Sequence, residues 1–196
     1  MAMRDGAPDA FGSPYRLLST AITPRPIGWI ATTSTDGVDN LAPYSFCTVA
    51  AVDPPVVLFA PVGRDDLKDT PQNVADTEEF VLNTVTRDVV EAMNATSETL
   101  PSGDSEFDHL DIDRAESVVV DPPRVAAASV AMECELYDWI EVGGSVVILG
   151  EVVHAHVDEA VLTNDKIDIE ALETVGRLAG NYYASTRDRF ELERPP

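Results

Sequence analysis

The chain has 196 residues, enough for one domain with a sizeable core, and its 44% hydrophobic content is ordinary for a globular protein. Thirty-five acidic residues against 13 basic ones give a formal charge of −22, and a surface so charged repels nucleic acid and anionic membranes, so neither is expected as a partner. An acidic interaction block is one explanation of this charge. Because the carboxylates are spread along the whole chain, the composition favours the other explanation, a halophilic protein from a high-salt cytoplasm where ions screen the self-repulsion.

Short strands joined by turns dominate the predicted secondary structure. Residues 1–14 are expected to form a flexible arm, residues 15–190 the folded domain and residues 191–196 a tail. Strands are predicted at residues 27–33, 41–51, 56–60, 80–86, 117–120, 129–142 and 146–157, and helices within residues 67–76 and 89–94. The polar residues 97–113 are expected to form a surface loop. Since the strands follow one another through hairpins, as at Asp36-Gly37, rather than through crossover helices, the pattern predicts a mainly β fold, an antiparallel barrel with short helical insertions.

The first of these helices is predicted to begin at Pro71, with the Thr70 hydroxyl as its N-cap. A helix N-terminus presents free N–H groups and the positive end of the helix dipole, so it binds anions readily. Lys68 stands just before this end and is one of only two lysines in the chain. Lys68 and Thr70 therefore suit a monophosphate ester. An ordinary capped surface helix is the alternative, and the pattern leaves both open.

A second candidate site is the strand segment at residues 40–46, which contains proline and small side chains. Pro43 cannot donate a hydrogen bond to a sheet ladder, so the segment has room for a flat ring against its backbone. Trp29, Tyr44 or Phe46 could flank such a ring. The alternative is a kinked core strand whose aromatic side chains pack inward.

Neither a metal site nor nucleophilic catalysis is predicted. His154 and His156 share one face of a strand, but no cysteine or carboxylate cluster with ligand spacing accompanies them, so the pattern favours a partly exposed pair. No Gly-x-Ser-x-Gly motif occurs, and neither Cys47 nor Cys134 has a basic neighbour, so catalytic residues stay unassigned. Both cysteines are interpreted as reduced core thiols. Since no stretch suits a signal peptide or membrane span, a cytoplasmic location is expected.

A glycine-bearing loop near the end of the chain is a further candidate. Arg177 lies within residues 176–180 and could close over a bound anion or ring, while the glycines let the loop approach. The alternative is a structural loop that its tyrosines pack onto the barrel.

These segments follow one another in an order typical of one protein family. They are Arg25-Pro26-Ile27, Asp36-Gly37, Asn40-Leu41-Ala42-Pro43-Tyr44-Ser45-Phe46, Asp53-Pro54-Pro55, Lys68-Asp69-Thr70 with Asn73, Phe80-Val81-Leu82-Asn83, Pro122-Pro123-Arg124, Glu133-Cys134-Glu135-Leu136, Gly150-Glu151-Val152-Val153-His154, and Arg177-Leu178-Ala179-Gly180-Asn181-Tyr182-Tyr183. In this order and spacing the chain resembles the flavin reductase-like family of FMN-binding split barrels, from about residue 15 to the end.

The resemblance implies a six-stranded antiparallel Greek-key split barrel, usually a homodimer, with FMN near the subunit interface. It assigns Lys68, Asp69 and Thr70 to the FMN phosphate. The residues that it places along the isoalloxazine ring and ribityl chain are Thr32, Thr33, Asn40, Ala42, Pro43, Tyr44, Ser45 and Phe46. The further contacts that it implies are Arg25, Asn73, Arg177 and Tyr182. The chain departs from many relatives at Cys47-Thr48, which bears on contacts to the ring edge.

Flavin chemistry agrees with the missing catalytic motifs, because the flavin ring accepts a hydride directly and the protein need only bind and orient it. The leading hypothesis is an oxidoreductase that moves reducing equivalents from NAD(P)H through FMN to flavin or another small-molecule acceptor. One alternative is an FMN-binding electron carrier of the flavoredoxin type, reduced by a protein donor without NAD(P)H turnover. The other is a structural barrel without cofactor.

Overall fold

A computed structural model describes residues 3–62, 68–101 and 103–195 of the chain. The α-helices are α1 (Pro14–Ala21), α2 (Asp69–Thr77), α3 (Val90–Ala95), α4 (Glu106–His109) and α5 (Ile169–Leu172), and short 3-10 helices occupy Pro8–Phe11 and Glu159–Val161. The strands are β1 (Arg25–Pro26), β2 (Gly28–Thr33), β3 (Asp39–Tyr44), β4 (Cys47–Val52), β5 (Pro55–Phe59), β6 (Glu79–Thr84), β7 (Arg114–Ala115), β8 (Arg124–Val125), β9 (Val130–Val142), β10 (Ser145–Val157), β11 (Leu162–Thr163), β12 (Lys166–Ile167), β13 (Val175–Arg177) and β14 (Tyr183–Ser185).

Seven strands form one antiparallel sheet in the order β3-β2-β6-β9-β10-β5-β4. A flat sheet of seven strands would hold its two edges about 29 Å apart, at about 4.8 Å per strand spacing. Yet the two edge strands, β3 and β4, are joined by Ser45 and Phe46 alone, and the three steps from Tyr44 to Cys47 span about 11 Å at most. The sheet is therefore curled into a barrel that is split between β3 and β4, which confirms the predicted fold with seven strands instead of six.

The long hairpin β9–β10 forms the back of the barrel, where 13-residue strands pair antiparallel. A turn at Gly143-Gly144 joins them, and Gly143 has a φ of 57°. Gly150 lies under the ring of Phe80, and a Cβ built on it would come 2.3 Å from Phe80 Cζ. A glycine is required there because a core phenylalanine occupies the space of any side chain.

Two hydrophobic clusters fill the molecule. One packs Trp29, Leu41 and Phe107 with neighbours from β6 and α3. The other packs Phe59 and Phe80 inside the barrel with Cys47, Cys134 and others, and both cysteines are buried and free. The interpretation of the cysteines as reduced core thiols is thus confirmed. Within the described residues, no helix is long and apolar enough to cross a bilayer.

Three local predictions are wrong. The single strand predicted at residues 41–51 is two strands, β3 and β4, on opposite edges of the sheet. The strand predicted at residues 117–120 is a series of bends, because the N–H groups of Val118–Val120 bond to the carboxylate of Glu133 instead of to a neighbouring strand. Residues 97–113 do not form only a surface loop, since α4 buries Glu106 and Phe107.

Helix α2 also begins two residues earlier than predicted, at Asp69, with Lys68 as its N-cap residue. Pro71 is tolerated as the third helical residue because the first N–H groups of any helix lack partners within the helix. The Thr70 hydroxyl is directed elsewhere, to the side chain of Asn40. Leu67, where the predicted helical segment started, lies outside the described residues.

Candidate functional site: a cleft along the edge strand β3

Two adjoining cavities form a cleft beside the edge strand β3, and Pro43 and Ser97 line both of them. The first, the helix cavity, measures about 330 Å³, and its walls include Asn40, Ala42, Tyr44, Lys68, Asp69, Thr70, Glu98 and Glu106. The second, the arginine cavity, measures about 300 Å³, and its walls include Tyr15, Ser19, Arg25, Ser45, Asn94, Arg177, Gly180 and Tyr183. A ligand longer than either cavity can therefore lie along β3 and cross Pro43.

The N-terminus of α2 opens into the helix cavity. Lys68 has an extended backbone, and within the described residues no side chain caps this helix end. The Lys68 carbonyl accepts the N–H of Gln72, while the N–H groups of Asp69 and Thr70 bond to no group in the described part of the chain. These free donors and the exposed ammonium group of Lys68 make this end of the cleft suitable for an anion.

Buried amide–hydroxyl pairs hold α2 against the sheet. Asn40 Nδ2 donates to Thr70 Oγ1 at 2.6 Å, and Asn73 Nδ2 donates to Thr32 Oγ1 at 3.0 Å. All four side chains are buried. Since a buried polar group without a partner is costly, these pairs fix the position of the helix end relative to β2 and β3. Thr32 and Asn73 thus support the cleft from behind and do not line it.

The open edge of β3 carries a carboxylate that the sequence analysis did not identify. Glu106 Oε2 accepts the N–H of Leu41 at 2.9 Å, so Leu41 turns its backbone away from β2. Pro43, two residues further on, faces the same open side, and it offers a carbonyl but no N–H. The edge therefore presents acceptors to the cleft. The sequence did not predict a role for Glu106, because this residue lies in an acidic segment typical of a surface loop.

Burial raises the pKa of two ionisable side chains beside this edge, Glu106 and Tyr44. Burial raises the pKa of Glu106 above its ordinary value, Asp69 adds to this rise, and the Leu41 N–H and the charge of His109 oppose it. Burial raises the pKa of Tyr44 to about 12, opposed by a hydrogen bond with Thr70. Tyr44 therefore remains a neutral phenol at physiological pH.

Arg25 organises the arginine cavity. Its guanidinium group donates to the carbonyls of Ser19, Ile22 (3.0 Å) and Leu178 (2.9 Å), which joins the end of α1 to the β13–β14 loop. Within the described residues, its buried Nε has no hydrogen-bond partner. Phe46 packs against the same guanidinium, 5.7 Å from its ring centre. Such an unpaired buried donor is rare in folded proteins, and either a water molecule or a ligand can supply its acceptor.

Arg177 is bound by its own hairpin. It donates to the hydroxyl of Tyr183 and, at 2.5 Å, to the carbonyl of Gly180, and its guanidinium lies 4.6 Å from the Tyr183 ring centre. The Tyr183 hydroxyl donates to Asn94 Oδ1 at 2.7 Å. Arg177 thus shapes the wall of the arginine cavity. Tyr182 is 74% exposed and lines neither cavity, whereas Tyr183 does.

The structure brings most of the predicted site residues to this cleft. Those that line it are Arg25, Asn40, Ala42, Pro43, Tyr44, Ser45, Lys68, Asp69, Thr70 and Arg177. Those that do not are Thr32, Thr33, Phe46, Asn73 and Tyr182. Thr33 donates to Asp39 at the end of the β2–β3 hairpin.

The charges along the cleft are not uniform. Among the described residues Lys68 is the cation that lines the helix cavity, and the carboxylates of Asp69, Glu98 and Glu106 also line it. Carboxylates repel a second anion but accept hydrogen bonds from hydroxyl groups. The helix cavity therefore fits a ligand with one anionic end and hydroxyl groups beside it.

Comparisons with known proteins identify the family of the chain. The family model described as "Flavin reductase like domain" matches residues 20–176. An uncharacterised protein of Aquifex aeolicus is 41% identical over 91% of this chain and 93% of its own length. The crystal structure of nitrilotriacetate monooxygenase component B from Bacillus cereus has a TM-score of 0.93 and 32% identity over 98% of this chain and all (100%) of that one. The 2-nitrobenzoate 2-nitroreductase NbaA of Pseudomonas fluorescens has a TM-score of 0.85 and 30% identity over 93% of this chain and 90% of its own.

Proposed function

Because the chain belongs to the flavin reductase-like family, we propose that it is an FMN-dependent oxidoreductase that moves reducing equivalents from NAD(P)H to flavin or another small-molecule acceptor. The observation that carries the proposal is the cleft along β3. It has a free helix N-terminus with a lysine at one end and, at the other, Arg25, whose buried Nε lacks a partner within the described residues.

Bound FMN would supply a ring that accepts and releases a hydride, which the side chains of the protein cannot do. Lys68 and the N–H groups of Asp69 and Thr70 would hold the phosphate, and Asn40 keeps Thr70 in place. The carboxylates of the helix cavity would accept hydrogen bonds from the ribityl hydroxyls.

The flavin ring would lie past Pro43, in the arginine cavity. Arg25 Nε would donate to a ring acceptor, which would satisfy the one buried side-chain donor that lacks a partner within the described residues. The Pro43 carbonyl at the open strand edge would accept from a ring N–H. These backbone and guanidinium contacts orient the ring without an acid–base pair.

The experiment is anaerobic spectroscopy of the purified protein with FMN and, separately, FAD. We expect saturable FMN binding, tighter than FAD binding, and loss of the oxidised flavin absorbance when NADH or NADPH is added. Flavin that stays oxidised with both nucleotides but is reduced by ferredoxin would contradict the NAD(P)H activity and identify an electron carrier. Absence of flavin binding would contradict the whole proposal.

We further propose that the protein is a cytoplasmic homodimer. The edge strand β4 is exposed from Thr48 to Val52, and the side chains of Val49 and Val52 are 65% and 84% exposed. An open apolar edge strand is a liability unless a partner covers it. Light scattering after gel filtration tests the dimer, and a monomeric mass at micromolar concentration would refute it. The two buried free thiols are consistent with a reducing compartment.

A further inference from the structure

Two histidines and a glutamate form a cluster on the β9–β10 hairpin, away from the cleft. Glu133 and His154 are directly paired across the two strands, and His156 lies two residues further along β10 on the same face. One ligand atom from each residue lies within 4.8 Å of the others. None of the three lines the helix cavity or the arginine cavity. Residue spacing alone did not reveal the cluster, because the carboxylate comes from the neighbouring strand.

Glu133 is a fully buried carboxylate in a rigid setting. Oε1 accepts the N–H of Val118 at 2.8 Å, and Oε2 accepts those of Val119 and Val120 at 2.6 and 3.1 Å. Burial by itself would raise the pKa of Glu133, but the hydrogen bonds from His156 and these three N–H groups outweigh it and lower the pKa to about 2. The three backbone N–H groups set the orientation of the carboxylate, as a metal-binding carboxylate requires.

The histidines close the cluster toward solvent. His156 Nε2 lies 2.5 Å from Glu133 Oε1, and the two imidazole rings meet edge to face with centres 4.8 Å apart. Both histidines are partly exposed, so an ion can reach them from outside. Ligand atoms around tetrahedral Zn²⁺ lie about 3.4 Å apart, given bond lengths near 2.1 Å. To admit the ion, side-chain rotation must open the Glu133–His156 contact by about one ångström and bring the more widely spaced ligand atoms, up to 4.8 Å apart, closer by about as much.

We propose that Glu133, His154 and His156 bind a divalent transition-metal ion of the Zn²⁺ type, with water completing the coordination. Two imidazole nitrogens and one carboxylate form a ligand set that zinc and its neighbours favour over Mg²⁺ or Ca²⁺, which prefer oxygen ligands. The ion replaces the His156–Glu133 contact. Glu133 keeps its bonds to residues 118–120, so the metal ties β10 to that segment.

The test is calorimetric titration of the EDTA-treated full chain with Zn²⁺ in high salt and excess Mg²⁺, which saturates non-specific acidic sites. We expect one ion per chain. The variants His154→Gln and His156→Gln should each weaken binding by more than about tenfold, because loss of even an outer-shell partner of a metal ligand costs 10- to 100-fold. The matched control is His109→Gln, which alters the one other histidine of the chain and should bind as the wild type does. Circular dichroism establishes that each variant is folded.

Co²⁺ provides a second readout that does not depend on affinity. Its visible absorption should show tetrahedral or five-coordinate ligation in the wild type and in His109→Gln, and should be lost in both cluster variants. Two outcomes would overturn the proposal: no saturable Zn²⁺ binding in excess Mg²⁺, or unchanged Zn²⁺ affinity in folded His154→Gln and His156→Gln. The measurements use protein without flavin, so the result is independent of the proposed oxidoreductase activity.

Discussion

The buried carboxylate of Glu133 should contribute strongly to stability at neutral pH, and the substitution Glu133→Gln measures this contribution. The pKa of Glu133 is lowered from 4.5 to about 2. This shift of about 2.5 units corresponds to about 3 kcal/mol, at 1.36 kcal/mol per unit. The amide keeps the shape of the side chain but lacks the charge. Its NH₂ group faces N–H groups that donate hydrogen bonds to the carboxylate in the wild type. We therefore expect the variant to be less stable than the wild type by about 3 kcal/mol at pH 7.

The pH dependence follows from the sign of the shift. Since the folded protein holds Glu133 at a lowered pKa, its stabilising effect is complete above pH 4.5 and is lost as the pH falls from there through about 2. The difference in stability between wild type and Glu133→Gln should accordingly shrink across this window. Urea unfolding in EDTA and high salt, followed by circular dichroism between pH 7 and pH 2.5, measures it.

Glu79 supplies the matched control. Its carboxylate accepts the N–H of Asp121, at the end of the same segment, but at the surface. Glu79→Gln should change stability by less than about 0.5 kcal/mol, as surface substitutions usually do. A Glu133→Gln protein as stable as the wild type at pH 7, or a difference that does not vary with pH, would refute the reasoning about the Glu133 charge.

Three further predictions concern the cleft, the core and the surface. Lys68→Ala should weaken FMN binding by about 1–3 kcal/mol in a fluorescence titration and riboflavin binding far less, with Lys166→Ala as control; equal losses for both ligands would place the phosphate elsewhere. Gly150→Ala should lower the free energy of unfolding in urea by about 1–3 kcal/mol, because the new methyl group would overlap Phe80. Gly144→Ala, where nothing lies within 4 Å of the new methyl group, should leave it unchanged, and equal effects of the two substitutions would contradict the packing argument. The melting temperature should rise from dilute buffer to molar KCl if the charge of −22 reflects life in high salt, and an unchanged value would count against it.

Local patterns predicted the strands of the seven-stranded sheet except for the break between β3 and β4. The strands predicted at residues 129–142 and 146–157 are β9 and β10. The break after Tyr44 could not be predicted, because Ser45 and Phe46 fit a strand as well as their neighbours do. Only the pairing of β4 with β5 and of β3 with β2 separates the two edges.

The sequence predicted which residues lie at the candidate site better than it predicted what each residue does there. Lys68 and Pro43 lie at the cleft, but Thr32 and Asn73 proved to be supports that bond to each other. Glu106 and Glu133 were missed for a common reason. In the sequence, a glutamate in an acidic chain is typical of a solvated surface. Only the tertiary structure shows that both glutamates are buried and accept hydrogen bonds from backbone N–H groups.

The two-residue passage from β3 to β4 has a mechanical consequence. If a ligand in the cleft displaces Pro43, only Tyr44, Ser45 and Phe46 lie between Pro43 and Cys47 to accommodate the movement. Pro43, which lines the cleft, and the first residue of β4 are thus connected by only three residues. Filling the cleft would therefore displace the start of β4 and, through Cys47, the hydrophobic cluster inside the barrel.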